Sequence, residues 1–113
     1  MPNTVKNTIN MDSSVWSGVK TQDNSFDFNT LIPMPSGTVD VPEWRLVNWG
    51  TTSNAENVVI NETNGLAIVE FDTEYSVPFP IFSKLTDLYP NHTFTGLYIY
   101  PDGTEYDWEY VPE

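Results

Sequence analysis

Cysteine is absent from this 113-residue chain, which removes disulfides, zinc ribbons, thiol nucleophiles and thiol redox chemistry together. There is one histidine, His92. A histidine metal pair or a Ser-His-Asp relay would have to be built around that single residue in a Pro-Asn-His-Thr turn. Gly-x-Gly-x-x-Gly, Walker, Gly-x-Ser-x-Gly and His-Glu-x-x-His patterns are all missing, so nucleotide, hydrolase and zinc-protease chemistry have no support in the residues. No run approaches the roughly 20 apolar residues of a membrane span. Met1 to Asn10 carries one Lys and lacks the apolar stretch of a signal peptide. Asn61-Glu62-Thr63 and Asn91-His92-Thr93 match the glycosylation pattern, but that mark requires secretion. The expectation is a cytoplasmic, non-enzymatic protein with no cofactor and no metal.

Positive charge is the other scarcity. Only Lys6, Lys20, Arg45 and Lys84 stand against 16 acids, for a formal net charge of −12. Nucleic acid would be repelled, and a basic surface attracted and steered. Solubility alone accounts for part of such an excess.

Against these absences stand 39% hydrophobic and 14% aromatic residues, with four Trp, six Tyr and six Phe. That content separates the chain from disordered sequences and suits one folded domain spanning 1–113 with an aromatic core. Thr4 to Met11 alternates as a first strand, with Val5, Ile9 and Met11 on one side. Asp12 to Asn24 reads as a loop or short helical turn around Val15, Trp16 and Val19. Phe26-Asp27-Phe28 leads into Leu31 to Pro35, an extended connection because its two prolines lack amide donors.

Pro42 to Trp49 predicts a helical turn, with Pro42 at its start and Gly50 after its end. Asn57–Asn61 and Leu66–Tyr75 form a hairpin through Glu62-Thr63-Asn64-Gly65. Phe79–Tyr89 is the one main helix, from the spacing of Ile81, Phe82, Leu85, Leu88 and Tyr89. Thr93–Tyr100 and Thr104–Tyr110 form a second hairpin around Pro101-Asp102-Gly103. The expected class is α+β, an antiparallel sheet of four to five strands with a reduced or absent first helix.

Four stretches carry a resemblance: Met1-Pro2-Asn3, Phe26-Asp27-Phe28-Asn29 running into Ile32-Pro33-Met34-Pro35, Trp44 to Thr51 (WRLVNWGT), and Phe71 to Pro80. The aromatic hairpin at Tyr98 to Tyr110 continues it. On these residues the chain resembles the YubB/Api-type family of phage- and plasmid-borne proteins with a ferredoxin-like domain. It departs from that pattern in Thr4-Val5, where the family tends to have Trp-Cys, and in Tyr75 to Pro78, where it tends to have Trp-Ser-Pro. The resemblance implies a ferredoxin-like sandwich and a mobile-element origin, and no catalytic residues.

The arrangement of the acids is more telling than their number. Glu70, Asp72 and Glu74 alternate with Val69 and Phe71, while Glu105, Asp107 and Glu109 alternate with Tyr106, Trp108 and Tyr110. Each strand thus carries an acidic ladder. Its repeat is about 6.6 Å, about half the linear charge density of one DNA strand, so two neighbouring ladders would match it. An ordinary solvated sheet face also alternates this way. Asp102, Glu105, Asp107 and Glu109 supply oxygen atoms for a hard cation, but their spacing fails the EF-hand pattern.

The leading expectation is a phage-type inhibitor, a DNA mimic of the anti-CRISPR kind. Its acidic residues, Glu70, Asp72, Glu74, Asp102, Glu105, Asp107 and Glu109 with Trp108, would meet a basic nucleic-acid-binding host protein. A CRISPR effector such as Cas9 is one such target. The alternative is a self-associating or assembly module, monomer or homodimer, using the aromatic hairpin at 98–110.

Overall fold

Period-two burial organises the chain in the computed structural model, which describes residues 3–113. The Met1-Pro2 opening of the resemblance lies outside the described residues. In β1 (Thr4–Asp12) Val5, Asn7, Ile9 and Met11 are buried and their neighbours are not. In β3 (Leu66–Glu74) Ala67, Val69, Phe71 and Thr73 repeat the pattern. With β2 (Glu56–Thr63), β4 (Phe94–Ile99) and β5 (Glu105–Tyr110), they form one five-stranded antiparallel sheet. The strand order is β2-β3-β1-β4-β5. The fold is therefore α+β, and the order of its first four strands is consistent with a ferredoxin-like topology.

Three α-helices, not one main helix, accompany the sheet among the described residues. α1 (Ser13–Val19) turns Asp12 to Asp23 into a real if short first helix, capped where the Asp12 carboxylate accepts the Ser14 amide at 2.8 Å. α2 (Val41–Trp49) is a full nine residues, not a single turn. Asp40 caps its start, Pro42 sits in its first turn, and Gly50 closes it in the left-handed conformation at φ 83°. A side chain at Gly50 would also meet Pro80 Cδ at 2.6 Å, so glycine is required twice over. α3 (Phe79–Leu88) buries Ile81, Phe82 and Leu85 of the expected stripe but leaves Leu88 exposed, and it stops one residue early, with Tyr89 as its cap. A short 3-10 turn at Phe28–Thr30 completes the connection.

Val15, Trp16 and Val19 of α1, Trp49 of α2 and Ile81, Phe82 and Leu85 of α3 join one face of the sheet and the buried residues of the connections in a single cluster. Its centre is aromatic. Phe28 packs edge-on against Trp49 and Phe71, at centroid distances of 5.4 and 5.7 Å. The Trp49 indole donates to the Ile32 carbonyl at 2.9 Å, pinning the proline-rich connection to α2. Asn54 holds the same region from the other side, accepting from Phe28 N and donating to Asp27.

A polar seam locks the end of α2 to the end of β3. Thr51 donates to the Glu74 carbonyl at 2.7 Å, Ser53 accepts from the Glu74 amide, and Ser76 donates to the Gly50 carbonyl. Buried Asn7 in β1 donates to Thr73 Oγ1 at 3.0 Å. These bonds satisfy groups that burial would otherwise penalise. They also fix where β3 ends, and so where its outward side chains point. Among the described residues, no helix is long and apolar enough to cross a membrane.

Candidate functional site: an uncovered acidic sheet face

If the buried residues of β1 and β3 face the helices, their partners must face away. Thr8, Asn10, Ile68, Glu70 and Asp72 are outward by alternation, and the register extends that face across all five strands. One row reads Val59, Glu70, Thr8, Leu97, Asp107. The next reads Glu56, Asp72, Lys6, Ile99, Glu105, and on the other side lies Asn61, Ile68, Asn10, Thr95, Glu109. The helices pack on the opposite face, and this one is open.

Both acidic ladders stand on it. Glu70, Asp72 and Glu74 line β3, while Glu105, Asp107 and Glu109 line β5. They are not neighbours, however. β1 and β4 lie between, so three strand spacings of roughly 4.8 Å separate the ladders by about 14 Å. The expectation that two adjacent ladders would reproduce the charge density of a DNA strand is corrected accordingly. The chain instead presents two acidic rails around a floor of Thr8, Asn10, Thr95, Leu97 and Ile99, all half-buried and uncharged, with the exposed Lys6 as the one charged side chain between the rails in these rows.

That floor is dished. One depression of about 380 Å³ runs from Lys6, Thr8 and Leu97 to Glu70 and Asp72. A second, of about 470 Å³, runs from Thr8 and Leu97 to Asp107 and Glu109. They meet at the Thr8–Leu97 pair. Lys6 is the one cation in these rows, and it lies 3.8 Å from Asp72 in the one ion pair among the described residues. Asn57 donates to the other Asp72 oxygen at 3.0 Å. Asp72 is thus held within the fold, while Glu70, Glu74, Glu105, Asp107 and Glu109 are exposed.

Two residues grouped with the ladders in the sequence lie elsewhere. Trp108 is on the helix side, where its ring stacks on Phe82 at 4.5 Å and 11°. It covers Gly96, whose missing side chain makes the room. The alternation that puts Asp107 outward necessarily puts Trp108 inward. Asp102 sits in the β4–β5 turn, where hydrogen bonds from Thr104 hold its carboxyl below the ordinary Asp range.

The aromatic hairpin divides likewise. Tyr98 stacks on Tyr106 at 5.5 Å and meets Phe79 edge-on at 5.5 Å, and Phe79 and Tyr106 are each 49% exposed. Burial, with Tyr100 and Tyr106 nearby, raises the Tyr98 hydroxyl above its ordinary pKa. Tyr110 is tied down, donating to the Pro90 carbonyl at 2.9 Å. The residues that the ladders left unnamed are those of the floor, Thr8, Asn10, Leu97 and Ile99. Their half-polar alternation was visible, but their place between the ladders depends on strand order.

At one end of the open face, His92 joins Asn10, Asp12, Leu66 and Thr95 around a depression of about 340 Å³. Among the described residues, no group of three His, Asp or Glu side chains is placed to hold a metal ion. No protein family, curated protein or solved structure matches the chain.

Proposed function

We propose that this chain is a non-enzymatic binding protein whose open sheet face docks a basic protein surface. The observation that carries the reading is the register: six carboxylates on two strands point from one uncovered face, and a single lysine on that face offsets them. Six like charges with one cation beside them repel one another and work against the compact state, so their concentration on one side favours use over accident.

In its most specific form, the reading is a mobile-element inhibitor with a ferredoxin-like fold, related to the YubB/Api-type proteins. It would occupy the nucleic-acid site of a host defence protein, of which an RNA-guided nuclease such as Cas9 is one candidate. Strand order and acidic surface support this, as do the four sequence stretches. Binding of the purified chain to basic nucleases over a salt series tests it. Steep weakening with salt is expected, as is loss of binding when Glu105, Asp107 and Glu109 become Lys.

A second reading rests on a different surface. The exposed Phe79 and Tyr106 rings with Tyr98 form an aromatic patch suited to self-association or assembly. Sedimentation distinguishes the two readings: a stable homo-oligomer that Tyr106→Ser dissolves favours the aromatic patch.

A further inference from the structure

Resting on the docking face just described, we propose that the trough between the ladders seats an α-helix of the partner. That helix carries basic side chains on both flanks and small or apolar ones on the strip facing Thr8 and Leu97. The argument is one of width and sign. The ladders are about 14 Å apart, and an α-helix with its side chains is about 10–12 Å across. Laid along the strands, it fills the space between the rails and reaches both.

Other occupants fit less well. An extended strand adds only one spacing of about 4.8 Å. Paired to the free edge of β5, it would reach Glu105, Asp107 and Glu109 and leave Glu70 and Glu74 unused. Duplex nucleic acid has the wrong sign. A second copy of this chain would bring a net charge of −12 against the same charge, ladder to ladder. The floor is suited to a close approach, because its one cation, Lys6, is paired to Asp72 and the two depressions meet at the uncharged Thr8 and Leu97.

The lengths agree as well. Three acids on alternating positions extend over about 13 Å, and two helical turns rise about 11 Å. Lys and Arg side chains absorb the difference. Cations at i, i+4 and i+7 on the β5 flank would therefore meet successive carboxylates, and on the β3 flank, where Lys6 and Asn57 already hold Asp72, cations at i and i+7 would meet Glu70 and Glu74.

The probe is a synthetic helical peptide of about five turns, with Lys on two flanks and Ala and Leu between. Its control has the same composition with two internal prolines. Both are titrated against the full chain and against the variants E70K/E74K and E105K/E109K, following backbone amide shifts. The helical peptide is expected to shift Thr8 and Leu97, and each variant and the proline control to weaken binding at least tenfold.

Equal binding by the proline control overturns the helix but leaves the acidic docking face standing. Sensitivity to the β5 variant alone points to a strand on the edge and also overturns it. Failure of the helical peptide to bind overturns it too. Indifference to both variants removes the docking face along with it.

Discussion

Glu70 and Asp107 stand in the same row of the sheet, joined through Thr8 and Leu97, and point from the same open face. They are 37 positions apart in sequence, and no local rule brings them together. The row exists because β1, at the start of the chain, inserts between β3 and β4. This one insertion converts two separate acidic strands into a pair of rails around a floor whose one charge in these rows is Lys6.

The rails are expected to be dispensable for folding. Glu105→Gln, Asp107→Asn and Glu109→Gln together remove like charges about 6.6 Å apart along one edge strand, where they repel weakly through solvent. The melting temperature is expected to stay level or to rise by a few degrees at low ionic strength. The gain should vanish near 1 M salt, where screening acts within about 3 Å. Scanning calorimetry at two salt concentrations checks this.

Trp49 has the opposite role. It is fully buried, packs on Phe28 and Trp44, and donates to the Ile32 carbonyl. Trp49→Ala is expected to cost about 3–5 kcal/mol by denaturant unfolding. Trp49→Phe keeps most of the apolar volume but leaves the carbonyl without its donor, and should cost less than the alanine variant.

Gly96 tests the packing that removes Trp108 from the acidic face. A methyl group there would press on the Trp108 indole and come within 2.6 Å of the Thr8 carbonyl. Gly96→Ala is expected to lift the indole from Phe82, with a red-shifted tryptophan emission and lower stability. Gly65→Ala, whose site is open but whose φ is 81°, should lower stability without changing the emission.

Acid stability depends on Asp27. Burial pushes its carboxyl up, but hydrogen bonds from Asn54 and Asn29 outweigh burial and hold it below the ordinary Asp value. A depressed folded pKa stabilises above the unfolded value, near 3.9, and that contribution is lost as pH falls through the folded one. Asp12, held low by Ser14, acts in the same direction. Asp27→Asn is therefore expected to lower stability at neutral pH and to flatten its fall below about pH 4, measured by circular dichroism.

Much of the fold was legible because its signals are local. The alternation at Val5, Ile9 and Met11, the Asn64-Gly65 turn and the spacing of Ile81, Phe82 and Leu85 each sit within one element. α2 was underestimated although its signals were present: Asp40, Pro42 and Gly50 bracket nine residues, but Leu46 and Val47 stay exposed and blur the helical stripe. The composition of the site was legible too, since both ladders follow from period two. Two features of the site differ from the sequence expectation. Trp108 was grouped with acids that its own alternation opposes, and the distance between the ladders is set by strand order, which hydrophobic periodicity does not encode.

The most direct test of the docking face is the affinity of the chain for purified basic nucleic-acid-binding proteins, an RNA-guided nuclease among them, across a salt series. Wild type is compared with a variant in which Glu70, Glu74, Glu105, Asp107 and Glu109 are all Lys. The prediction is binding that weakens steeply with salt and is lost in the variant while its circular dichroism is unchanged. Binding that ignores both salt and charge reversal, or no binding to any such protein, would contradict it.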